Sequence, residues 1–290
     1  MPVGAALALL LAMQLLSPTA CYCIGSTHQP ADYARFEIVI VDPDETPSSL
    51  VELLHSQGKI VLGYVNIGYA EDWRWYWPRL VESGIVHENA GYEGEYLVEY
   101  WSSTWRAVVE NYTVEVLKKG YDGVYLDNVD AYYTILERDP PWAAGVNLEA
   151  EMKWLVGNIS VEARSMGKLV YVNIGSATPL LWDPRFLSSV DGVLREETLL
   201  ALEDTCDSSF NPPGEVFDTL AALVNARLHG KTVLAVEFVD SYGEAVLVEA
   251  AYVPLGITPI LQPACDPDYE GLPLPLPLTI DSSRLTGTSR

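Results

Sequence analysis

The chain has 290 residues, 49% of them hydrophobic, enough for a substantial core. One barrel of roughly 250 residues fits that length. Forty acidic against 17 basic residues give a formal net charge of -23; such a surface repels phosphate backbones and anionic lipid, sets nucleic acid aside as a partner, and would welcome a cationic one.

The first stretch, MPVGAALALLLAMQLLSPTACYC, is an apolar run ending in small residues. It reads as a secretory signal over residues 1–20, cleaved near Ala20, with a retained N-terminal anchor as the alternative. No other segment is long enough to span a bilayer. The protein is therefore expected to be secreted or held at an extracytoplasmic cell surface. Cys21 and Cys23 flank the expected cleavage site. Cys206 and Cys265 lie in loop-like stretches, where an exported chain can oxidise them into one disulfide; two buried thiols are the alternative.

From there, apolar runs of strand length alternate with helix-like segments. The runs are FEIVIVD (36–42), IVLGYVNIG (60–68), EYLVEYW (95–101), GVYLDN (123–128), LVYVNIG (169–175), GVLREE (192–197), TVLAVEFVD (232–240) and GITPILQ (256–262). Continuous Val, Ile, Leu and Tyr suits strands buried on both faces of a parallel sheet. Helices are expected over 48–57, 104–119, 148–166, 215–229 and 243–252. Gly58, Gly120, Gly167 and Gly230 follow four of these segments, as helix-terminating glycines do. Eight strands in alternation with helices predict an α/β fold, a (β/α)8 TIM barrel over residues 24–262, with an irregular or missing eighth helix. An open doubly wound sheet is the runner-up, but no glycine-rich phosphate turn follows the first run. Residues 263–290, Pro-rich and then Ser/Thr-rich, read as a C-terminal loop and tail.

Each run ends in an acid or an amide: Asp42, Asn66, Glu99, Asp127, Asn173, Glu196, Glu237 with Asp240, and Gln262. In a barrel such ends meet on one face, where active sites lie. Two internal echoes sharpen the pattern. DGVYLD (122–127) aligns with DGVLRE (191–196), placing Asp127 and Glu196 at equivalent depths. GYVNIG (63–68) aligns with VYVNIG (170–175), doing the same for Asn66 and Asn173.

Two carboxylates facing a pocket are the minimum equipment for glycoside hydrolysis, one protonating the leaving oxygen and the other attacking or activating water. The aromatic stretch YAEDWRWYWPR (69–79) follows the second run, and Trp73 is its leading candidate for stacking on a sugar. Tyr64 and Tyr125, inside the second and fourth runs, join the substrate-binding candidates. Other chemistries fit less well: none of the four histidines and no lysine ends a strand, so a His-rich metal centre and a Schiff-base aldolase lack their residues. No cofactor is called for. A metal-dependent enzyme on Asp42, Asp127 and Asp130 is a third reading.

The stretches VIVDPDE (39–45), GKIVLGYVNIGYAEDWRWYW (58–77), GYDGVYLDNVDAYY (120–133) and DGVLREETL (191–199) together resemble glycoside hydrolase family 114, the endo-α-1,4-polygalactosaminidase-like barrels. The likeness covers about Tyr33 to Gln262. It implies a hydrolase acting on α-linked galactosaminide, an amino-sugar polymer, with Asp127 as the fourth-strand carboxylate and Glu196 as the sixth-strand one; Glu197, adjoining it, is the alternative acid. Asp42, Asn66, Asp130, Asn173, Glu197, Glu237 and Asp240 are expected to orient the sugar or pair with its ammonium. The expected partner is an oligo- or polysaccharide and no stable protein partner is implied. The rival reading is a non-catalytic, cell-surface glycan-binding barrel.

Overall fold

A computed structural model describes residues 18–203 and 206–277. The expected signal segment lies outside the described residues up to residue 17, as does the C-terminal tail from residue 278. Among the described residues, no helix is long and apolar enough to cross a membrane.

Eight strands form one sheet in strictly sequential order: β1 (Ala20–Cys23), β2 (Ile38–Val41), β3 (Ile60–Asn66), β4 (Gly123–Asp127), β5 (Leu169–Asn173), β6 (Gly192–Glu196), β7 (Thr232–Val239) and β8 (Thr258–Pro263). Neighbouring strands run parallel, and β1 packs along β8, giving a nearly closed (β/α)8 barrel. Parallel strands covered on both sides must be apolar nearly throughout. Ile38–Val41 and Gly123–Asp127 are buried at every residue, and Thr232–Val239 at all but the first.

Seven of the eight expected runs supply barrel strands. The eighth, 95–101, does not. Its strand, Glu95–Val98, lies in a separate antiparallel sheet between Tyr69–Glu71 and Val86–Asn89. Side-chain composition makes a segment a strand but does not choose its partner, which depends on residues far away in the chain. Glu99 consequently ends no barrel strand and instead meets His87 at 3.2 Å. The missing barrel strand is Ala20–Cys23, whose four residues are hidden in the sequence by the apolar run ahead of them. It pairs with Ile38–Val41, so the sheet includes residues ahead of the domain start expected at residue 24.

The chain divides into two compact units, one of residues 62–193 and the other of residues up to 61 with residues from 194 onward. In the first, helices 103–118 and 148–165 carry the outer layer. The former buries Trp105, Val108, Val109, Tyr112, Thr113, Val116 and Leu117, the i, i+3, i+4, i+7 stripe of an amphipathic helix. Its N-terminus is capped by Ser102 Oγ, which accepts from Trp105 N at 3.2 Å, and the other helix is capped in the same way by Asn147. In the second unit, helices 213–228 and 242–252 play this part, the latter burying Ala245, Val248, Glu249 and Tyr252. Past β8 the Pro-rich segment does not leave the barrel at once: Leu274 N donates to Leu261 O at 2.6 Å, and Tyr269 is buried. A disulfide joins Cys206 to Cys265 in this unit, and Cys21 pairs with Cys23, two residues along the same face of β1.

Candidate active site

Strand register fixes the first cluster, in the unit of residues 62–193. Asn66 is the register partner of Asp127, and Leu126 that of Val172, so Asn66, Asp127 and Asn173 end three adjacent strands at one level. Two residues earlier, on the same faces, Tyr64, Tyr125 and Tyr171 form a tyrosine row. The Tyr64 and Tyr125 rings stack with centroids 6.3 Å apart.

Asp127, 8% exposed, is the focus of this cluster. Tyr64 Oη donates to its Oδ2 at 2.8 Å and Asn173 Nδ2 to its Oδ1 at 2.9 Å. Burial pushes its carboxyl pKa up; the bonds from Tyr64, the Asn128 amide and Asn173 pull it down, and nearby Asp130 pushes it up again. Burial wins, and it also drives the Tyr64 hydroxyl well above its ordinary range, so Tyr64 stays a donor. Asp130 accepts Ser176 N at 2.7 Å. Gly175 makes that approach feasible: its φ is +44°, and a Cβ there would sit 2.1 Å from Asp130 Oδ2.

The small antiparallel sheet brings a second pair of carboxylates to this cluster. Glu71 and Glu95 are direct cross-strand partners. Glu71, 1% exposed, is met by Arg74 Nε at 2.7 Å. Glu95 has the Asn66 side chain as its hydrogen-bond partner and feels the Arg74 charge more weakly. Burial, then the charges of Asp127 and Glu71, push its pKa to about 8. Sequence pattern alone misses these residues, because 95–101 has the composition of a barrel strand ending at Glu99. The one usable signal was the glutamate in YAED, directly after a barrel strand.

The aromatic stretch divides by burial. Trp73 and Trp75 are 55% and 52% exposed, whereas Tyr76 is buried with its hydroxyl on Glu71, and Trp77 packs on Tyr96 at 4.8 Å.

The other unit holds the remaining candidates. Glu196, the last residue of β6, accepts the Tyr269 hydroxyl on its Oε2 at 2.5 Å. Tyr269 comes from the segment read as a tail, and nothing local in PACDPDYEG marks it. Glu197 has a left-handed backbone, φ +53°, and its Oε2 accepts Leu202 N at 2.9 Å, so its carboxylate holds the loop that follows. Glu237 is fully buried. Its oxygens accept the amides of Thr198, Leu199 and Leu200 at 2.9–3.0 Å as well as the Tyr252 hydroxyl, a framework task that occupies both oxygens. Asp42 accepts Asp44 N at 2.8 Å in a local turn, and exposed Asp240 accepts Ser208 N at 3.4 Å. Among the described residues, no group of three or more His, Cys, Asp or Glu side chains is arranged to hold a metal ion.

Residues 12–262 match the family model described as glycoside-hydrolase family GH114. The chain belongs to that family. As a member of GH114 it is 31% identical over 216 residues to an uncharacterized protein of Deinococcus radiodurans, covering 71% of this chain and 66% of that one. It is 37% identical over 110 residues to the uncharacterized protein MJ1477 of Methanocaldococcus jannaschii, covering 34% of this chain and 32% of that one. The chain thus spans just under two thirds of the first relative and about a third of the second.

Among solved structures, the glycoside hydrolase domain of PelA from Pseudomonas aeruginosa superposes with a TM-score of 0.70 at 16% identity, over 88% of this chain and 97% of the PelA chain. Aspergillus fumigatus Ega3, solved in complex with galactosamine, gives 0.66 at 16% identity, over 86% and 92%. At these identities the likeness establishes the barrel fold.

Proposed function

We propose that this hydrolase is exported and cleaves amino-sugar polymers of the α-linked galactosaminide type, with Asp127 as nucleophile or base and Glu196 as general acid. The observation that carries the proposal is the setting of Asp127: a carboxylate at a barrel strand end, held in place by Tyr64 and Asn173. Two donors fix its direction and favour its ionised form, as an attacking or water-activating carboxylate requires. Glu196 ends β6, and its own orientation is held by Tyr269.

Three further observations support the substrate and compartment. Ega3, a barrel of the same fold, was solved with galactosamine. The net charge of -23 attracts a polymer carrying free ammonium groups. The Cys206–Cys265 disulfide suits an oxidising compartment. Exposed Trp73 offers a face for sugar stacking, and Asn66, Asp130 and Asn173 supply polar groups beside Asp127.

The test is release of reducing ends from a free-amine α-1,4-galactosaminide polymer by wild type, Asp127→Asn and Glu196→Gln. Wild type should cleave it, and each variant should lose about a thousandfold or more in kcat. Wild-type rates in both variants would remove this carboxylate pair from the mechanism.

A further inference from the structure

Among the described residues, five that are not glycine have a left-handed backbone: Asn128, Asp139, Glu197, Cys206 and Tyr269. Asn and Asp adopt it readily; a glutamate, a cysteine and a tyrosine do not. These last three are all tied to Glu196. Glu197 adjoins it, Tyr269 donates its hydroxyl to Glu196 Oε2 at 2.5 Å, and Cys206 is bonded to Cys265, on the segment that carries Tyr269. Backbone strain of this kind persists only where the surroundings over-determine the conformation.

The turn under Tyr269 meets that condition. Asp266 Oδ1 accepts Glu270 N at 2.9 Å, and its Oδ2 accepts Gly271 N at 2.8 Å. Gln262, on β8, donates its side-chain amide to the same carboxylate. Ser26 Oγ, just past β1, donates to Glu270 O at 2.7 Å. The Tyr269 ring is buried edge-on to Tyr22, with centroids 4.5 Å apart, and lies 5.6 Å from Phe238. The disulfide adds a covalent tie. It joins Cys265, the residue before Asp266, to the hairpin of Leu200–Leu202 and Ser208–Phe210 that follows β6. That hairpin is itself fastened to Glu237 and Glu197 through the amides of Leu200 and Leu202.

We propose that Asp266 and the Cys206–Cys265 disulfide are positioning residues for the acid step: they hold Tyr269 in its left-handed conformation, and Tyr269 aims the Glu196 carboxyl at the leaving oxygen. This assignment rests on Glu196 as the general acid, proposed above, and names the groups that direct it. A glutamate side chain samples several rotamers, and a bond from a fixed donor selects one of them. The donor is fixed only as well as its own backbone, and a tyrosine released from this turn would relax out of the left-handed region and take its hydroxyl away from Glu196. A disulfide closing a long loop also stabilises the fold as a whole, so the two effects must be measured apart.

The experiment compares kcat/KM on a galactosaminide oligomer and on its nitrophenyl glycoside. The sugar leaving group needs a proton from the general acid, whereas nitrophenolate departs without one. The double variant Cys206→Ser, Cys265→Ser should lose about tenfold or more on the oligomer and stay within about twofold of wild type on the nitrophenyl glycoside. Equal losses on both substrates overturn the positioning role and leave a bond that only stabilises; full activity on the oligomer overturns it as well. Should the double variant fail to fold, Asp266→Ala, which keeps the disulfide, faces the same two substrates with the same expected split and the same overturning results. Glu196→Gln separates this inference from the reading beneath it. Wild-type rates on the oligomer in Glu196→Gln, or a wild type inert on both substrates, overturn the general-acid reading and the positioning role with it. A loss confined to the oligomer in Glu196→Gln, beside equal losses in the cysteine and Asp266 variants, overturns the positioning role alone.

Discussion

Tyr64, two residues before the end of β3, donates its hydroxyl to Asp127 Oδ2 at 2.8 Å, across the strand boundary to the end of β4. Asn173 answers from the opposite neighbour at 2.9 Å. Both bonds favour the ionised carboxyl against the pull of burial. Removing either should raise the Asp127 pKa. Tyr64→Phe and Asn173→Ala should therefore each shift the acidic limb of the pH–rate profile upward and lower kcat by about ten- to a hundredfold, as expected for a hydrogen bond to a charged group. Superimposable profiles for wild type and variants would mean that these donors do not tune Asp127.

Glu196 depends on a donor from a distant part of the chain. Tyr269→Phe removes the hydroxyl bound to Glu196 Oε2. The variant should keep the wild-type urea midpoint within error and lose about tenfold in kcat/KM, because a misdirected acid meets its leaving oxygen less often. Full activity would show that Glu196 needs no such support.

Arg74 and Glu71 form a buried ion pair, each 2% exposed at the side chain. Arg74→Met should destabilise the fold by about 3–5 kcal/mol, since it strands a buried carboxylate beside Glu95 and Asp127. The double variant Arg74→Met, Glu71→Gln should recover most of the loss. Urea denaturation measures both, and a single variant as stable as wild type would contradict the assignment.

Stability should fall as pH rises from 5 to 8. Burial lifts the Glu237 pKa from 4.5 to about 7 despite four hydrogen bonds to its oxygens. The folded protein therefore keeps a proton that the unfolded chain releases. That contribution is complete below about pH 4.5 and is lost as pH climbs through 7; for Glu237 alone it is on the order of 3 kcal/mol. Glu95, lifted to about 8, acts in the same direction. Urea midpoints that rise over this interval would contradict the protonated state of both groups in the fold.

Gly175 is the backbone point on which Asp130 rests. At φ +44°, with a Cβ position 2.1 Å from Asp130 Oδ2, any side chain there would be strained and would push the Asp130 carboxylate aside. Gly175→Ala should cost about 2 kcal/mol or more, combining the left-handed penalty with the displaced carboxylate. Calorimetry on the variant checks this.

The sequence by itself determined the alternation of apolar runs with amphipathic helices, and through it the (β/α)8 barrel. It also placed Asp127, Asn66 and Asn173 at strand ends. Local periodicity and chain order suffice for that, because sequential strands joined by helices leave little choice of neighbour. Tertiary structure decided which runs belong to the barrel. EYLVEYW has strand composition wherever it goes, while Ala20–Cys23 becomes a strand because it finds Ile38–Val41. Tertiary structure also gave Glu237 to the core, set Tyr269 against Glu196 and put Glu95 across the strand pair from Glu71. These are outcomes of which polar atoms meet across long sequence separations. Burial then fixes their charge state, and no local pattern of residue types encodes that environment.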